Sequence, residues 1–364
     1  MYRSGCAGIV LSNKLIKIKK SLGGSMHSKL RKIFGISAAV VAMGLTPISA
    51  VLAADTTLRL THMFRADSDA GQAAQAFADQ VKARSEGRIE VGVFPSSQLG
   101  DWTETHSLLM QGAIDIGLQP LSTGFDRRLA IAWFPYIAPT YDEAKKAYSR
   151  DGFAYKVVDG LIQAQGLSLL GVFADGMGGA GFTKEIANPE QPGVDKGMRI
   201  RVWPGGTTHR TLMEKFGYQV ATIPWAELYT GMQTGVVDGQ IGGSPEMSNS
   251  NFKDITKTWV QYNDHLELSW FVINSERLSA LPKADQDLLI QVAQDISSKR
   301  FDEVQVADDK QLKLMEENGT KVVRLTPEQL QALASFTREK VWPEIGSELG
   351  DDVMQQLRDG LKAE

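Results

Sequence analysis

Cysteine is almost absent from this 364-residue sequence, because Cys6 is the single one. Everything after residue 6 therefore lacks disulfides, Cys-ligated metals and a cysteine nucleophile. Histidine is scarce too, with five residues in all. They stand singly along the chain, without HExxH or another paired metal spacing. We accordingly expect neither a metal nor a cofactor.

Catalytic signatures are missing as well. The sequence has no GxSxG nucleophile elbow and no GxxxxGK(S/T) phosphate loop. The glycine-dense segment 176–181 is not a GxGxxG motif placed in a strand–helix turn, so we interpret it as a flexible hinge or a pocket wall. Nothing here favours an enzyme. A secreted enzyme on a two-lobed scaffold is therefore the least favoured function.

Long hydrophobic runs are rare. The apolar run 33–45 is too short to anchor a chain in a bilayer. It follows the basic residues Lys29, Arg31 and Lys32 and precedes small residues, the pattern of a secretory signal. We predict a signal peptide over 26–54, cleaved after Ala53 or Ala54. Residues 1–25 are then either the product of a translation start assigned too far upstream or an added extension. Export without stable membrane insertion indicates the bacterial periplasm.

Basic residues are outnumbered once this segment is set aside. Residues 1–54 hold eight Lys and Arg and no Asp or Glu, which leaves 31 basic against 43 acidic side chains and a net charge of −12. A chain this acidic is a poor binder of nucleic acid or of membrane surfaces. Any anion site must therefore be local.

What is present is an alternation of strands and helices. Residues 57–118 read as strand, helix, strand, helix, strand, which predicts an α/β fold with a parallel sheet and covering helices. Residues 141–166 read as further helix, broken at Gly160 and Gly166. The stretch 284–318 has no Pro and no Gly, so we expect a helix long enough to brace two lobes.

The stretch 197–243 has the strongest claim to a site. Residues 199–202 alternate polar and apolar as a short strand, which ends at Trp203 and Pro204. Arg201 at the end of this strand could bind a carboxylate with its planar guanidinium group. Trp203 and Trp225 could form the adjacent walls and exclude water. The alternatives remain open: Arg201 could pair with a surface carboxylate, and either tryptophan could be core.

Several ordered motifs carry a family resemblance. The segments 195–202 (DKGMRIRV), 223–229 (IPWAELY) and 232–240 (MQTGVVDGQ), with 94–100 (FPSSQLG) and 112–115 (GAID), resemble the extracytoplasmic solute receptors of TRAP (tripartite ATP-independent periplasmic) transporters. The resemblance covers about residues 55–345. It implies a two-lobed periplasmic-binding-protein-like fold with a ligand cleft between the lobes and a long helix that spans both. We expect lobe I to comprise 55–178 and 267–306, and lobe II 179–266 and 307–364.

The resemblance also implies a function. It places Arg201 where the family's arginine binds the ligand carboxylate, so we expect capture of a small organic acid by hinge closure and delivery to TRAP permease subunits. Region 178–182 lacks a second arginine that many members carry, and Ile241, Gly242 and Gly243 replace polar residues after Gln240. Both departures favour a monoacid with a less polar body. We expect a monomer; a receptor for a sensor or an ATP-driven importer is the main alternative.

The ten residues expected to contact the solute come from both lobes. They are Arg201, Trp203, Trp225, Gln240, Asp101, Gln119, Phe64, Arg65, Gly179 and Trp270.

Overall fold

The computed structural model describes residues 54–363. The predicted extension 1–25 and the signal segment up to residue 53 lie outside the described residues. Within the described part, no helix combines the length and the apolar character needed to cross a bilayer.

The strands follow the alternation expected from the sequence. They are β1 Thr56–Thr61, β2 Ile89–Phe94, β3 Ile116–Gln119, β4 Leu167–Met177, β5 Ala180–Phe182, β6 Arg199–Val202, β7 Gln219–Thr222, β8 Gly239–Ile241, β9 Thr258–Gln261, β10 Leu266–Asn274 and β11 Lys321–Arg324.

The helices lie between these strands and after them. They are α1 Asp69–Arg84, α2 Trp102–Met110, α3 Tyr141–Tyr148, α4 Phe153–Gln163, α5 Thr207–Lys215, α6 Trp225–Gln233, α7 Pro245–Phe252, α8 Ser275–Ser279, α9 Lys283–Glu317, α10 Pro327–Phe336 and α11 Trp342–Ala363. A 3-10 helix covers Arg127–Trp133, and a π-helical turn covers Thr337–Val341.

The first sheet, sheet A, has the strand order β2-β1-β3-β10-β4. Strands β1, β2 and β3 are parallel, because α1 and α2 carry the chain back between them. Strand β10 runs antiparallel between β3 and β4. The apolar run 266–274 predicts this strand, and its residues are almost all buried, as is usual for a central strand.

The second sheet, sheet B, has the order β11-β9-β5-β8-β6-β7. The chain enters it after β4 and returns to sheet A between β9 and β10. Gly178 and Gly179 lie at the first crossing, where a Cβ would come within 2.6 Å of the His265 ring and 2.5 Å of the Trp259 ring, respectively. The glycine-dense segment thus carries a crossing between the sheets, and small residues are needed there for close packing.

Helix α9 joins the two sheets along one side of the molecule. At 35 residues it is about 50 Å long. It packs on β4 and α1 next to sheet A and on α7 and β11 next to sheet B. Near its middle, buried Arg300 donates to the carbonyls of Ala174 and Asp175 and pairs with Asp69 at 2.9 Å. The expected long helix in contact with both halves is confirmed.

Two local expectations were wrong. Helix α4 runs straight through Gly160, since an exposed glycine weakens a helix without ending it. The apolar run 113–118 predicts the third strand, but β3 begins only at Ile116, because residues 112–115 form the turn after α2. In that turn Gly112 has a φ of +69°, the left-handed conformation that ends a helix.

Candidate functional site

A cavity of about 60 Å³ lies where strand ends from the two sheets meet. Met63 follows β1, Pro120 follows β3, and Trp203 follows β6. In open α/β sheets, the carboxyl ends of the strands are where ligands bind. The lining residues are Met63, Trp102, Pro120, Trp133, Arg201, Trp203, Trp225, Gly242, Gly243, Met247 and Glu267.

Arg201 reaches this cavity from the third position of β6. It is 3% exposed, whereas Arg199 on the same strand is exposed. Its Nε donates to the carbonyl of Ile223 at 2.8 Å. Among the described residues, no carboxylate oxygen lies within 4.0 Å of the guanidinium. One edge of the fork is therefore fixed by the backbone, and the terminal nitrogens stay available to a ligand.

Arg201 is charged at neutral pH in spite of its burial. Burial lowers the pKa of Arg201 to about 10, and the nearby negative charge of Glu267 opposes that effect. The Arg201 carbon Cζ lies 5.7 Å from the ring centroid of Trp225. A buried cation against an aromatic ring, in little water, is strongly attracted to an anion.

Glu267 is a second charged group on the cavity wall that sequence reasoning missed. It is the second residue of β10, the strand that returns from sheet B to sheet A. Its Oε2 accepts hydrogen bonds from the backbone N–H of Gly243 at 3.2 Å and from His265 Nε2 at 3.0 Å. The sequence offered only a carboxylate at the start of an apolar strand, a pattern that does not distinguish a cavity from solvent.

Behind Glu267 lies a buried network of two histidines and an aspartate. Asp264 Oδ2 is 2.6 Å from His265 Nδ1 and 2.9 Å from His209 Nε2. His209 and His265 are 56 positions apart in sequence and looked solitary there, yet their ring centroids lie 4.8 Å apart. Only the docking of α5 beside the crossing from β9 to β10 brings them together.

The network divides its protons unequally. Burial alone would lower the pKa of His265, but the carboxylates of Asp264 and Glu267 outweigh it and raise that pKa to about 10. Burial likewise lowers the pKa of His209, only partly opposed by Asp264, so this ring is neutral. The pKa of Asp264 is lowered, because its two histidine partners outweigh the effect of its burial. His265 therefore stands as a cation between two carboxylates.

The donor atoms of His209, Asp264 and His265 lie within 4.8 Å of one another, a spacing that could hold a metal ion. All three side chains are buried, and Asp264 Oδ2 already accepts from both rings. Through His265 the network also donates a hydrogen bond to Glu267 and so fixes the position of that side chain.

Four tryptophans line the cavity, of which the sequence predicted two. Trp203 and Trp225 lie on the wall, as expected from their places after β6 and at the start of α6. Trp102, at the start of α2, and Trp133, at the end of the 3-10 helix, were missed. The rings of Trp133 and Trp203 meet at 85° with centroids 5.9 Å apart. They thus form adjacent walls of a box.

Three predicted contacts lie buried elsewhere. Gln240 is fully buried in β8, where its side-chain NH2 group donates to the carbonyls of Ile241 and Gly242. Gln119 is held by Thr105 Oγ1 at 2.6 Å and the Trp102 carbonyl at 3.0 Å. Trp270 is fully buried in sheet A beside Tyr155. Gln240 and Gln119 were predicted from positions next to a strand end, and Trp270 as a nearby aromatic residue. The side chain of each is enclosed by protein and does not line the cavity.

The other four predicted residues are also absent from this cavity. Asp101 is the exposed N-cap of α2 and accepts from the Thr103 N–H at 3.0 Å. Gly179 packs against Trp259 at the crossing between the sheets. Phe64 and Arg65 line a neighbouring cavity of about 50 Å³, where Arg65 pairs with Asp67 at 2.8 Å. That cavity shares the walls Met63, Trp225 and Met247 with the first.

Comparison with known proteins gives a consistent match over the described chain. The profile of the family described as bacterial extracellular solute-binding protein, family 7, matches residues 60–348. A solute-binding protein of Albidiferax ferrireducens is 24% identical over 315 residues, covering 83% of this chain and 90% of that protein. The sialic acid-binding periplasmic protein of Vibrio cholerae is 21% identical, covering 84% of this chain and 92% of its own.

The fold matches solved structures equally well. A TRAP periplasmic solute-binding protein from Ralstonia eutropha, solved with bound (S)-2-acetolactate, has a TM-score of 0.74 at 22% identity, covering 85% of this chain and 99% of that one. This likeness confirms the α/β architecture of two sheets.

Proposed function

The chain belongs to bacterial extracellular solute-binding protein family 7, and from this we propose that it captures a small organic acid in the cavity and delivers it to a TRAP-type membrane permease. The acid enters between the two sheets, and its carboxylate binds Arg201. The resemblance to TRAP solute receptors seen in the sequence is confirmed by the family match and by the relatives.

The observation that carries the proposal is the state of Arg201. Its guanidinium is buried, charged and fixed on one edge by the Ile223 carbonyl. A hydrogen bond to a charged group contributes about 1.5–3 kcal/mol, so a two-pronged contact would supply several kcal/mol before ordering costs. No other cation lines this cavity within the described part of the chain.

The size and lining of the cavity support a compact acid with a weakly polar body. A volume of about 60 Å³ offers roughly four to six water-sized positions. The relatives' names include sialic acid and acetolactate, both carboxylic acids. Tryptophan, methionine and glycine make up most of this wall, which suits a body with few hydroxyl groups.

Capture by hinge closure follows from the connections between the sheets. The chain crosses at 178–179 and at 262–265, and α9 packs on both halves. Closure is favoured only by contacts that the open state lacks. We propose that Arg201 binds first and that Met63, Trp102 and Pro120 then close over the acid.

The remaining parts of the proposal concern place and partners. We propose a monomeric periplasmic receptor, released after Ala53 or Ala54, with no catalytic activity of its own. A neighbouring gene pair for TRAP permease subunits would support delivery to that permease. A neighbouring sensor kinase, or an ATP-driven importer, would favour the alternative receptor.

A thermal-shift screen of the purified protein against a library of carboxylic acids tests the function. An acid at a hundredfold excess over its Kd should stabilise the protein by about 2.7 kcal/mol, which raises the melting temperature. Turnover of the acid that binds should be undetectable by chromatography. A library in which no acid shifts the melting temperature would contradict the proposal.

A further inference from the structure

Glu267 places a negative charge on the wall of a cavity whose proposed role is to bind anions. Its side chain is 15% exposed, so most of it is removed from water. His265 and the Gly243 N–H hold Oε2, while Oε1 has no hydrogen-bond partner among the described residues. An oriented acceptor with one free oxygen is suited to a donor or a cation on the solute.

The charges around the cavity already balance. Arg201 and Glu267 are the only charged side chains among the lining residues that the structure describes. Behind them, the His265 cation is matched by Asp264. A solute with only a carboxylate would leave one net negative charge in a buried site, which is costly. A solute that carries both signs would keep the site neutral.

Arg201 and Glu267 interact but do not pair. The negative charge of Glu267 opposes the lowering of the pKa of Arg201. No oxygen of Glu267 lies within 4.0 Å of the guanidinium in the described structure. The two charges therefore lie more than 4.0 Å apart on the wall of one cavity, where a single solute can carry a partner for each.

The tryptophan walls favour the same kind of solute. Trp102, Trp133, Trp203 and Trp225 line the cavity, and the perpendicular Trp133 and Trp203 rings enclose a corner of it. Indole is the best aromatic partner of a cation, and aromatic boxes of this kind bind ammonium groups. An apolar acid would gain from burial here but would leave Oε1 of Glu267 without a hydrogen-bond partner.

We propose that the preferred solute is a compact zwitterion, with its carboxylate on Arg201 and its cationic nitrogen between Glu267 and the tryptophan rings. This inference rests on the proposed function, because it uses the same cavity and the same Arg201 contact. It names a class of solute that an acid receptor need not prefer.

Isosteric pairs of probes test the class by calorimetry. Glycine betaine and 3,3-dimethylbutanoate have the same shape, but betaine has a quaternary nitrogen cation where the plain acid has a quaternary carbon. L-proline differs from cyclopentanecarboxylate in the same way, and its ring nitrogen also supplies N–H donors. The wild-type protein should bind the zwitterion of at least one pair at least tenfold more tightly than its partner. Equal affinities within both pairs, preference for the plain acids, or no binding of any probe would overturn the inference.

The Glu267→Gln variant locates the preference. It keeps the size of the side chain and removes its charge, so affinity for the favoured zwitterion should fall at least tenfold, while the matched plain acid should bind as well or better. Glu267→Asp, which keeps the charge, should retain part of the preference. Circular dichroism and melting temperature confirm that each variant folds, and the wild-type probe pairs decide the matter even if neither does.

Failure of this inference can be told from failure of the proposed function. If plain acids bind through Arg201 and Glu267→Gln has no effect, the receptor function stands and the zwitterion class falls. If no member of the acid library binds, the receptor function itself falls.

Discussion

Arg201 differs from Arg199, two positions earlier on β6, in burial and in contacts. Arg199 is exposed, whereas Arg201 is buried beside Trp225 with Nε on the Ile223 carbonyl. A lysine at 201 would keep the charge but lose the planar fork and the fixed edge. We expect Arg201→Lys to weaken binding of the acid found in the screen at least tenfold, as measured by calorimetry.

Arg199→Lys is the matched control for that substitution. It makes the same chemical change on the same strand, at a side chain that faces solvent, so affinity should stay within twofold of the wild type. Unchanged affinity in Arg201→Lys would remove Arg201 from its proposed role. An equal loss in both variants would point to damage to β6 instead.

At the residue scale, the sequence brought together cavity residues that are close in the chain and missed those that are distant. Arg201, Trp203 and Trp225 lie on the cavity wall because they stand at a strand end or a helix start close by in sequence. Asp264, His265 and Glu267 form one short segment far along the chain from Arg201, and His209 joins them from α5. Their contact depends on how β10 and α5 pack together. The periodicity of the local sequence does not predict such packing.

Helix α4 shows how an element tolerates glycine according to its surroundings. Gly160 is exposed in the helix, and a Cβ there would meet no atom within 4 Å. Alanine would reduce the entropy of the unfolded chain and favour the helix. We expect Gly160→Ala to raise the free energy of unfolding by about 0.5–1 kcal/mol, seen as a higher urea midpoint with an unchanged slope.

Gly152, at the start of the same helix, supplies the contrast. A Cβ there would lie 2.2 Å from the Ala147 carbonyl oxygen, a contact that backbone cannot relieve cheaply. Gly152→Ala should therefore lower the midpoint. A lower midpoint in Gly160→Ala would show that α4 needs glycine at both positions, contrary to the free space seen at Gly160.

Element order was also the part of the fold that the sequence predicted best. The first three strands and two helices, the strand β10 and the long α9 follow from periodicity, caps and uninterrupted apolar runs. The strand pairing could not be predicted, because β10 lies between β3 and β4, which both come much earlier in the sequence. The burial of Gln119 and Trp270 against neighbouring elements was not predictable for the same reason.

At the scale of the whole molecule, the crossing from β9 to β10 couples the sheets to the site. Asp264 and His265 lie on this crossing, His209 comes from α5, and Glu267 opens β10. The backbone N–H of Tyr136 also donates to the Asp264 carbonyl at 2.6 Å. The charge of His265 therefore bears on both the stability of the fold and the position of the cavity wall.

This network predicts a loss of stability at alkaline pH. The pKa of His265 is raised from 6.5 to about 10 in the folded protein, because the carboxylates of Asp264 and Glu267 outweigh burial. The folded state thus keeps a proton that the unfolded state releases above pH 6.5. Its stabilisation is complete below that pH and is lost as pH rises towards 10, by at most about 1.4 kcal/mol per pH unit.

Urea midpoints measured from pH 7 to 9.5 isolate this effect. Burial raises the pKa of Asp308 to about 7 and that of Asp175 well above its usual value. Both carboxyls add to the fall in stability in the lower part of this range, in the wild type and in a His265 variant alike, so the difference between the two profiles reports His265. Burial lowers the pKa of Arg201 to about 10, which acts above the window. The wild-type midpoint should fall steadily across the range. The His265→Gln variant should be less stable at pH 7, because Asp264 and Glu267 lose their shared cation. Its midpoint should change much less with pH. A flat wild-type profile, or the same slope in the variant, would mean that His265 does not hold the proton that links the two carboxylates at the crossing.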